Sequence, residues 1–225
     1  MFFFSLTTPN AWPNILPSFD QITRLELLKI LSVKYVLSKE IIKDSSYELF
    51  LKHKDVFVYK NKTYKPLGFT YQNFISRKEM ENFGSSEKDS IVQNQIIIEN
   101  HDIPLFKKHL ESTLIQKKNN SEVEFFKINF FENSLIKGNI KNHANSILFF
   151  SIPHDEGWEI KINGIKSKYF KSNIGFIALF VSKGSNEIEL KYTPPMFKTG
   201  ILISIISFIL FLFYLLFKSK KLSRK

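Results

Sequence analysis

The side chains that could do chemistry in this chain are five histidines, 21 acidic residues, eight tyrosines and two tryptophans. His53, His101, His109, His143 and His154 form neither an HExxH motif nor a pair at helical spacing, so no helix face offers two imidazoles to one metal. Single histidines in loops are read as exposed bystanders. His154-Asp155-Glu156 sets three potential ligands in a row, but Gly157-Trp158 follows at a strand start, and polar residues there read first as a turn. Trp158 with the tyrosines could stack on a sugar; burial in a strand is the stronger expectation for that indole. His154, Asp155 and Trp158 are therefore the candidate ligand contacts. The sequence holds no G-x-S-x-G, P-loop or G-x-G-x-x-G, and zero cysteines exclude a disulfide scaffold, a thiolate metal site and a cysteine nucleophile. Any chain with 21 acids contains carboxylate pairs, and sequence does not supply their separation. No catalytic residue, cofactor-binding residue, metal ligand or cofactor is expected.

The elements around these residues read as mainly β. Trp158, Ile160 and Ile162 alternate with Glu159, Lys161 and Asn163, and Asn163-Gly164 is the strongest two-residue hairpin signal, returning through Ile165 to Lys171. Ile174 to Ser182 is apolar on both faces, as a central strand is. Lys183 to Asn186 turns, and Ile188, Leu190 and Tyr192 alternate up to Pro194-Pro195. Further strands are expected at Val33–Leu37, Tyr47–Leu51, Val56–Lys60, Pro66–Tyr71, Gln95–Glu99, Val123–Phe131, Ser134–Lys141 and Ser146–Ile152. A capping box at Ser18-x-x-Gln21 opens a short helix, Pro104 to Gln116 holds another, and Phe74 to Asn94 reads as helix or long loop. Many short strands at this spacing predict an antiparallel β-sandwich-like domain with minor helices. The 24 phenylalanines suit strands and an inter-sheet core.

The net charge of +11 suggests nucleic acid until it is located. Lys218, Lys220, Lys221, Arg224 and Lys225 supply five charges, so 11 − 5 = 6 remain over the rest of the chain, interspersed with acids. No basic stripe with interleaved aromatics occurs, and no nucleic-acid partner is expected. The tail follows 19 uncharged residues, Thr199 to Phe217, bracketed by Lys198 and Lys218. As a helix that run spans about 28 Å, close to a bilayer's hydrocarbon core. It shows no polar stripe, Gly200 opens it and Tyr214 falls towards an interface, so the lipid bilayer is its expected partner. The basic tail places the C-terminus in the cytoplasm and the bulk outside. The first residues show no signal peptide, which leaves two readings: a tail-anchored cytoplasmic domain, or the C-terminal piece of a multi-pass protein. Translocating the basic tail disfavours the first. The expected organisation is an N-terminal segment over 1–40, a β-rich domain over 41–195, a transmembrane helix over 198–217 and a cytoplasmic tail over 218–225.

Four stretches resemble the C-terminal part of the YfhO family of multi-pass bacterial membrane proteins. They are Leu27 to Ser38 (LLKILSVKYVLS), Val56 to Asn61 with Pro66-Leu67-Gly68-Phe69, Ser151 to Gly164 (SIPHDEGWEIKING), and Lys183 to Pro195 (ending YTPP) with Lys198-Thr199-Gly200. The resemblance implies a GT-C-like glycosyltransferase that uses a polyprenyl-phosphate-linked sugar to decorate an envelope polymer such as lipoteichoic acid. It places the catalytic acid in an N-terminal many-helix half, so no catalytic residue carries over to this chain. The expectation is a non-catalytic accessory or acceptor-binding part, partnered by an upstream multi-pass half or by envelope glycan. The alternative is a free-standing anchored surface protein that binds glycan or protein.

Overall fold

The computed structural model describes residues 27–114 and 123–222. The capping box at Ser18-x-x-Gln21 and the last residues of the basic tail, Arg224 and Lys225, lie outside them.

The chain opens with a helical turn at 27–30 and a small antiparallel sheet. β1 (Tyr35–Ser38), β2 (Tyr47–His53) and β3 (Val56–Asn61) lie in the order β1-β3-β2. β4 (Gly68–Tyr71) and β5 (Phe74–Ser76) enter the largest sheet. Two helices follow, α1 (Arg77–Met80) and α2 (Ser85–Asn94), so the 74–94 stretch is mostly helical and not a long loop, and β5 at its start is a strand the sequence reading did not expect. Ser76 starts α1 through a reciprocal cap: its Oγ accepts from the Glu79 N–H at 3.2 Å, and its own N–H donates to Glu79 Oε2 at 3.0 Å. β6 (Ile96–Ile98) pairs parallel with β5, an exception to the otherwise antiparallel pairing among these strands. α3 (Ile103–Leu114) then crosses the sheet.

The remainder builds the sandwich. β7 (Lys127–Glu132), β8 (Leu135–Asn142), β9 (Ser146–Pro153), β10 (Trp158–Ile162), β11 (Ile165–Lys166), β12 (Phe170–Ser172), β13 (Phe176–Val181) and β14 (Gly184–Tyr192) follow in turn. Five strands order as β11-β10-β14-β8-β7 and six as β4-β9-β13-β12-β6-β5. The six-stranded sheet is the middle layer, because β9 and β13 are apolar on both faces. Leu148, Phe150, Ile177 and Leu179 meet Ile136, Ile140, Ile160, Ile188 and Leu190 of the other sheet. On the opposite face Phe149 and Ala178 join Phe69, Phe170 and the helix residues Met80, Val92 and Phe106. The fold is thus mainly β and sandwich-like, with helices covering a whole face.

Three expected elements are redrawn. The Ile165–Lys171 return is split: β11 has two residues, and the chain then crosses to the other sheet as β12. Val123–Phe131 is also split. Thr70 N–H donates to Glu124 O at 3.0 Å and Phe126 N–H to Gly68 O at 2.9 Å, tying this segment to β4 before β7 begins in the second sheet. Both are corners where one run of residues serves two sheets. Lys183–Asn186 is not a plain turn, since Gly184 (φ 108°) already pairs with Asn142 in β14.

β14 runs into the last helix, α4 (Phe197–Leu222), through Thr193–Met196. Phe197 N–H donates to Pro194 O at 3.2 Å and Gly200 N–H to Met196 O at 2.8 Å, so the helix starts directly on the turn after the prolines. Its apolar stretch, Phe197–Leu215, is 19 residues long with a mean hydropathy of 2.1, and none of it is buried in the protein. A helix that is apolar all round and covered by nothing has the length and character of a membrane span. It begins two residues before the expected run.

Candidate functional site

Residues from three separate places meet beside the root of α4. β10 and β14 are antiparallel, and their register sets Trp158 opposite Tyr192. The two rings lie 4.9 Å apart at 50°. The loop before β10 folds on Asp155: its carboxylate accepts the Gly157 N–H at 2.8 Å, and its carbonyl accepts the Tyr169 hydroxyl at 2.9 Å. Thr193 N–H closes the other side onto Gly157 O at 2.9 Å. His154 leans on Tyr169, with ring centroids 5.2 Å apart. The Trp158 indole N–H donates to Pro153 O at 3.2 Å.

Gly157 permits this closure. A β-carbon there would stand 2.7 Å from Tyr192 Cε2 and 2.9 Å from Asp155 Oδ1, and nearer still to the Thr193 carbonyl oxygen. At the far end of β10 the Asn163-Gly164 turn has φ of 52° and 79°, the two positive values of a type I′ hairpin. Asn163 Oδ1 also accepts the Glu187 N–H at 2.8 Å, locking the hairpin to β14.

Electrostatics keep both tyrosines protonated. Lost solvation first, then the Asp155 carboxylate as hydrogen-bond partner and neighbouring charge, raises Tyr192 above the ordinary phenol value. Tyr169 is raised by lost solvation and then by Asp155 and Glu156. The phenol groups and the indole N–H thus hold the loop, while Trp158 and Tyr169 pack against the inter-sheet core and keep part of their ring surface exposed. Tilted aromatic faces beside a carboxylate suit contact with the C–H face of a sugar ring.

The three sequence-derived contacts lie close together, His154 and Asp155 on the loop before β10 and Trp158 on the strand's first residue. Trp158 is half-buried rather than fully buried: it packs against the inter-sheet core from the first residue of β10. The sequence reading missed Tyr169 and Tyr192. Tyr192 carried a signal, since the alternation into Pro194-Pro195 put it last on a strand; Tyr169 carried none, being brought in by the crossing between sheets. Of the anchor residues, Lys198 and Gly200 lie in the first turns of α4, Tyr214 is exposed near the end of the span, and Lys218, Lys220 and Lys221 follow on the last turns.

Elsewhere, His109 is not a bystander. It stacks on Phe180 at 4.4 Å and 16°, and its Nε2 lies 3.1 Å from Ser146 O and 3.3 Å from Val181 O. Two carbonyl partners require Nε2 to carry the proton. Burial lowers the ring's pKa. Lys65 is half-buried over Phe69, at 4.4 Å from the ring centroid, and burial followed by repulsion from Lys29 lowers its pKa to about 8. Among the described residues no group of three or more His, Asp or Glu converges on a metal position.

Fold and site define a membrane-associated β-domain protein whose aromatic loop sits at the foot of its apolar helix. The family model described as "Bacterial membrane protein YfhO" matches residues 109–204, which include the whole cluster and the start of α4. The uncharacterized protein YfhO of Bacillus subtilis (strain 168) is 44% identical over 68 residues. That match covers 30% of this chain and 8% of the relative. No solved structure matches the chain. Over residues 109–204 the chain is similar to the YfhO family.

Proposed function

We propose that this chain works as the outward-facing C-terminal domain and anchor of a YfhO-type membrane system for cell-envelope glycosylation, of the lipoteichoic-acid type, binding the acceptor or supporting the transferase without itself transferring sugar. One observation carries this reading. The two stretches that most resemble the family, around Gly157-Trp158 and Tyr192-Pro195, are more than thirty residues apart, yet Trp158 and Tyr192 pair across β10 and β14. Their meeting point is at the root of α4, where a membrane-bound acceptor polymer or lipid-linked sugar has to pass. The cluster offers ring faces, which suit sugar binding, and its acid is engaged in holding the loop. The lysines after the span support a cytoplasmic C-terminus and an outward domain.

The test uses the full chain in nanodiscs and lipoteichoic acid, with and without its sugar substituents, as probe. Wild-type chain binds, and Trp158→Ala weakens binding about tenfold or more at a temperature where circular dichroism shows the variant still folded, since one stacking residue carries a large share of such a contact. Equal binding by both, or sugar transfer by the chain alone from a polyprenyl-phosphate donor, overturns the proposal. Protease digestion of intact cells checks the outward orientation.

A further inference from the structure

We propose that the open edge of β7 pairs with the β7 of a second copy of this chain, antiparallel about a two-fold axis, joining two five-stranded sheets into one. β7 is the outermost strand of its sheet, and among the described residues no strand lies against its far side. All six of its residues are exposed. Ile128, Phe130 and Phe131 are 43%, 41% and 64% exposed. An apolar edge with open backbone groups is a template for another strand.

The hairpin register shows which backbone groups are open. Tyr192 N–H donates to Ser134 O at 2.8 Å, and hydrogen-bonding direction alternates along a strand. Ser134, Ile136 and Gly138 therefore turn their backbone groups towards β14, while Leu135, Lys137 and Asn139 turn theirs towards β7. The β7 residues opposite those three are Glu132, Phe130 and Lys127. Ile128 and Phe131 are left with N–H and C=O directed at the open edge. In a regular strand two such residues are an even number apart. The bulge between Ile128 and Phe130 makes them three apart. It also sets both on one face, opposite Gly138 and the core residue Ile136.

A second β7 answers these groups in one register. With Ile128 opposite the second copy's Phe131, the two residues exchange both hydrogen bonds, and the two-fold axis repeats the exchange at Phe131. Both side chains lie on the core-side face, as opposite residues in a sheet must. The same register sets Lys127 against the second copy's Glu132 on the solvent face, twice in each dimer. Among the described residues neither of these side chains has an ion-pair or hydrogen-bond partner in its own chain. Sliding the second strand so that Ile128 meets Ile128, or Phe131 meets Phe131, breaks both charge pairs. Backbone direction, facing and charge thus select one self-complementary contact, the kind a two-fold dimer uses.

The contact is short, so the dimer is reversible and its dissociation constant can be read. The full chain is studied by sedimentation equilibrium in density-matched detergent over rising protein concentration. Wild type is expected to pass from monomer to dimer. Lys127→Glu and Glu132→Lys each raise the dissociation constant about tenfold or more, because each puts two like-charge pairs into the dimer. The double variant K127E/E132K restores the opposite charges and returns the constant to near wild type. The chain has no cysteine, so the pairing can also be trapped. In Lys127→Cys/Glu132→Cys the paired α-carbons stand about 4.5 Å apart, as in a non-hydrogen-bonded pair, and mild oxidation gives a covalent dimer. Asn139→Cys, one strand further in, gives none. A wild-type chain that stays monomeric overturns the inference, including one whose β7 edge is covered only when lipid or another protein is added. So does a dimer indifferent to the charge reversals, which is held elsewhere, or a double variant no better than the single ones.

Discussion

Gly157→Ala probes the aromatic site through a single methyl group. The new β-carbon meets the Thr193 carbonyl oxygen and Tyr192 Cε2, the latter at 2.7 Å. The carbonyl is backbone and cannot rotate aside, so the start of β10 must withdraw from the end of β14 by roughly an ångström to restore ordinary contact distance. That movement lengthens the 2.9 Å Thr193–Gly157 hydrogen bond and separates Trp158 from Tyr192. Overpacking costs about 1–3 kcal/mol and the weakened bond about 1 more. For a domain of this size the sum lowers the melting temperature by about 5–10 °C. The control is Gly175→Ala in the adjoining turn, where a β-carbon has nothing within 4 Å and φ is ordinary. There the smaller entropy of the unfolded chain leaves stability unchanged or raises it by up to about 1 kcal/mol. Thermal unfolding of the full chain in detergent, followed by circular dichroism, compares the three proteins. If Gly157→Ala melts within about a degree of both wild type and Gly175→Ala, the claim that β10 and β14 close tightly at this point is refuted.

Lys65 titrates near 8 in the folded chain against 10.5 unfolded, so the folded state binds fewer protons between those values and stability rises with pH across that window. Urea unfolding from pH 7 to 11 shows that rise in wild type and loses most of it in Lys65→Met. His109 is lowered from 6.5, so stability falls as pH drops below 6.5; His109→Phe keeps the stack on Phe180 and removes this acid sensitivity in the same assay run from pH 7 to 5. Gly164→Ala meets no neighbour within 4 Å but must hold a φ of 79°, and costs about 1 kcal/mol by chemical denaturation.

Much of the architecture was legible because it is written in local alternation. The β10 hairpin, the two-faced β13 and the apolar helix each depend on residues adjacent in sequence. Less legible was any run that changes partner midway. Phe126 and Tyr169 lie where the chain leaves one sheet for the other, and alternation continues through such a corner without marking it. The Ser76-x-x-Glu79 cap went unread in the sequence, since it sits in a stretch too polar to show a helical face. His109 looked like an isolated surface histidine because its partners, Ser146, Phe180 and Val181, are 37 to 72 residues away.

By itself the sequence determined the β class, the type I′ hairpin, the uniform apolarity of α4 and the basic residues behind it, since each follows from residue type and short spacing. Tertiary structure alone decided which aromatics share a surface. Trp158 meets Tyr192, and Tyr169 meets Asp155, because strand register and a sheet crossing fold distant residues onto the foot of one helix. Register depends on how the two sheets bury their common core, a property of the whole domain that no short run of residues carries.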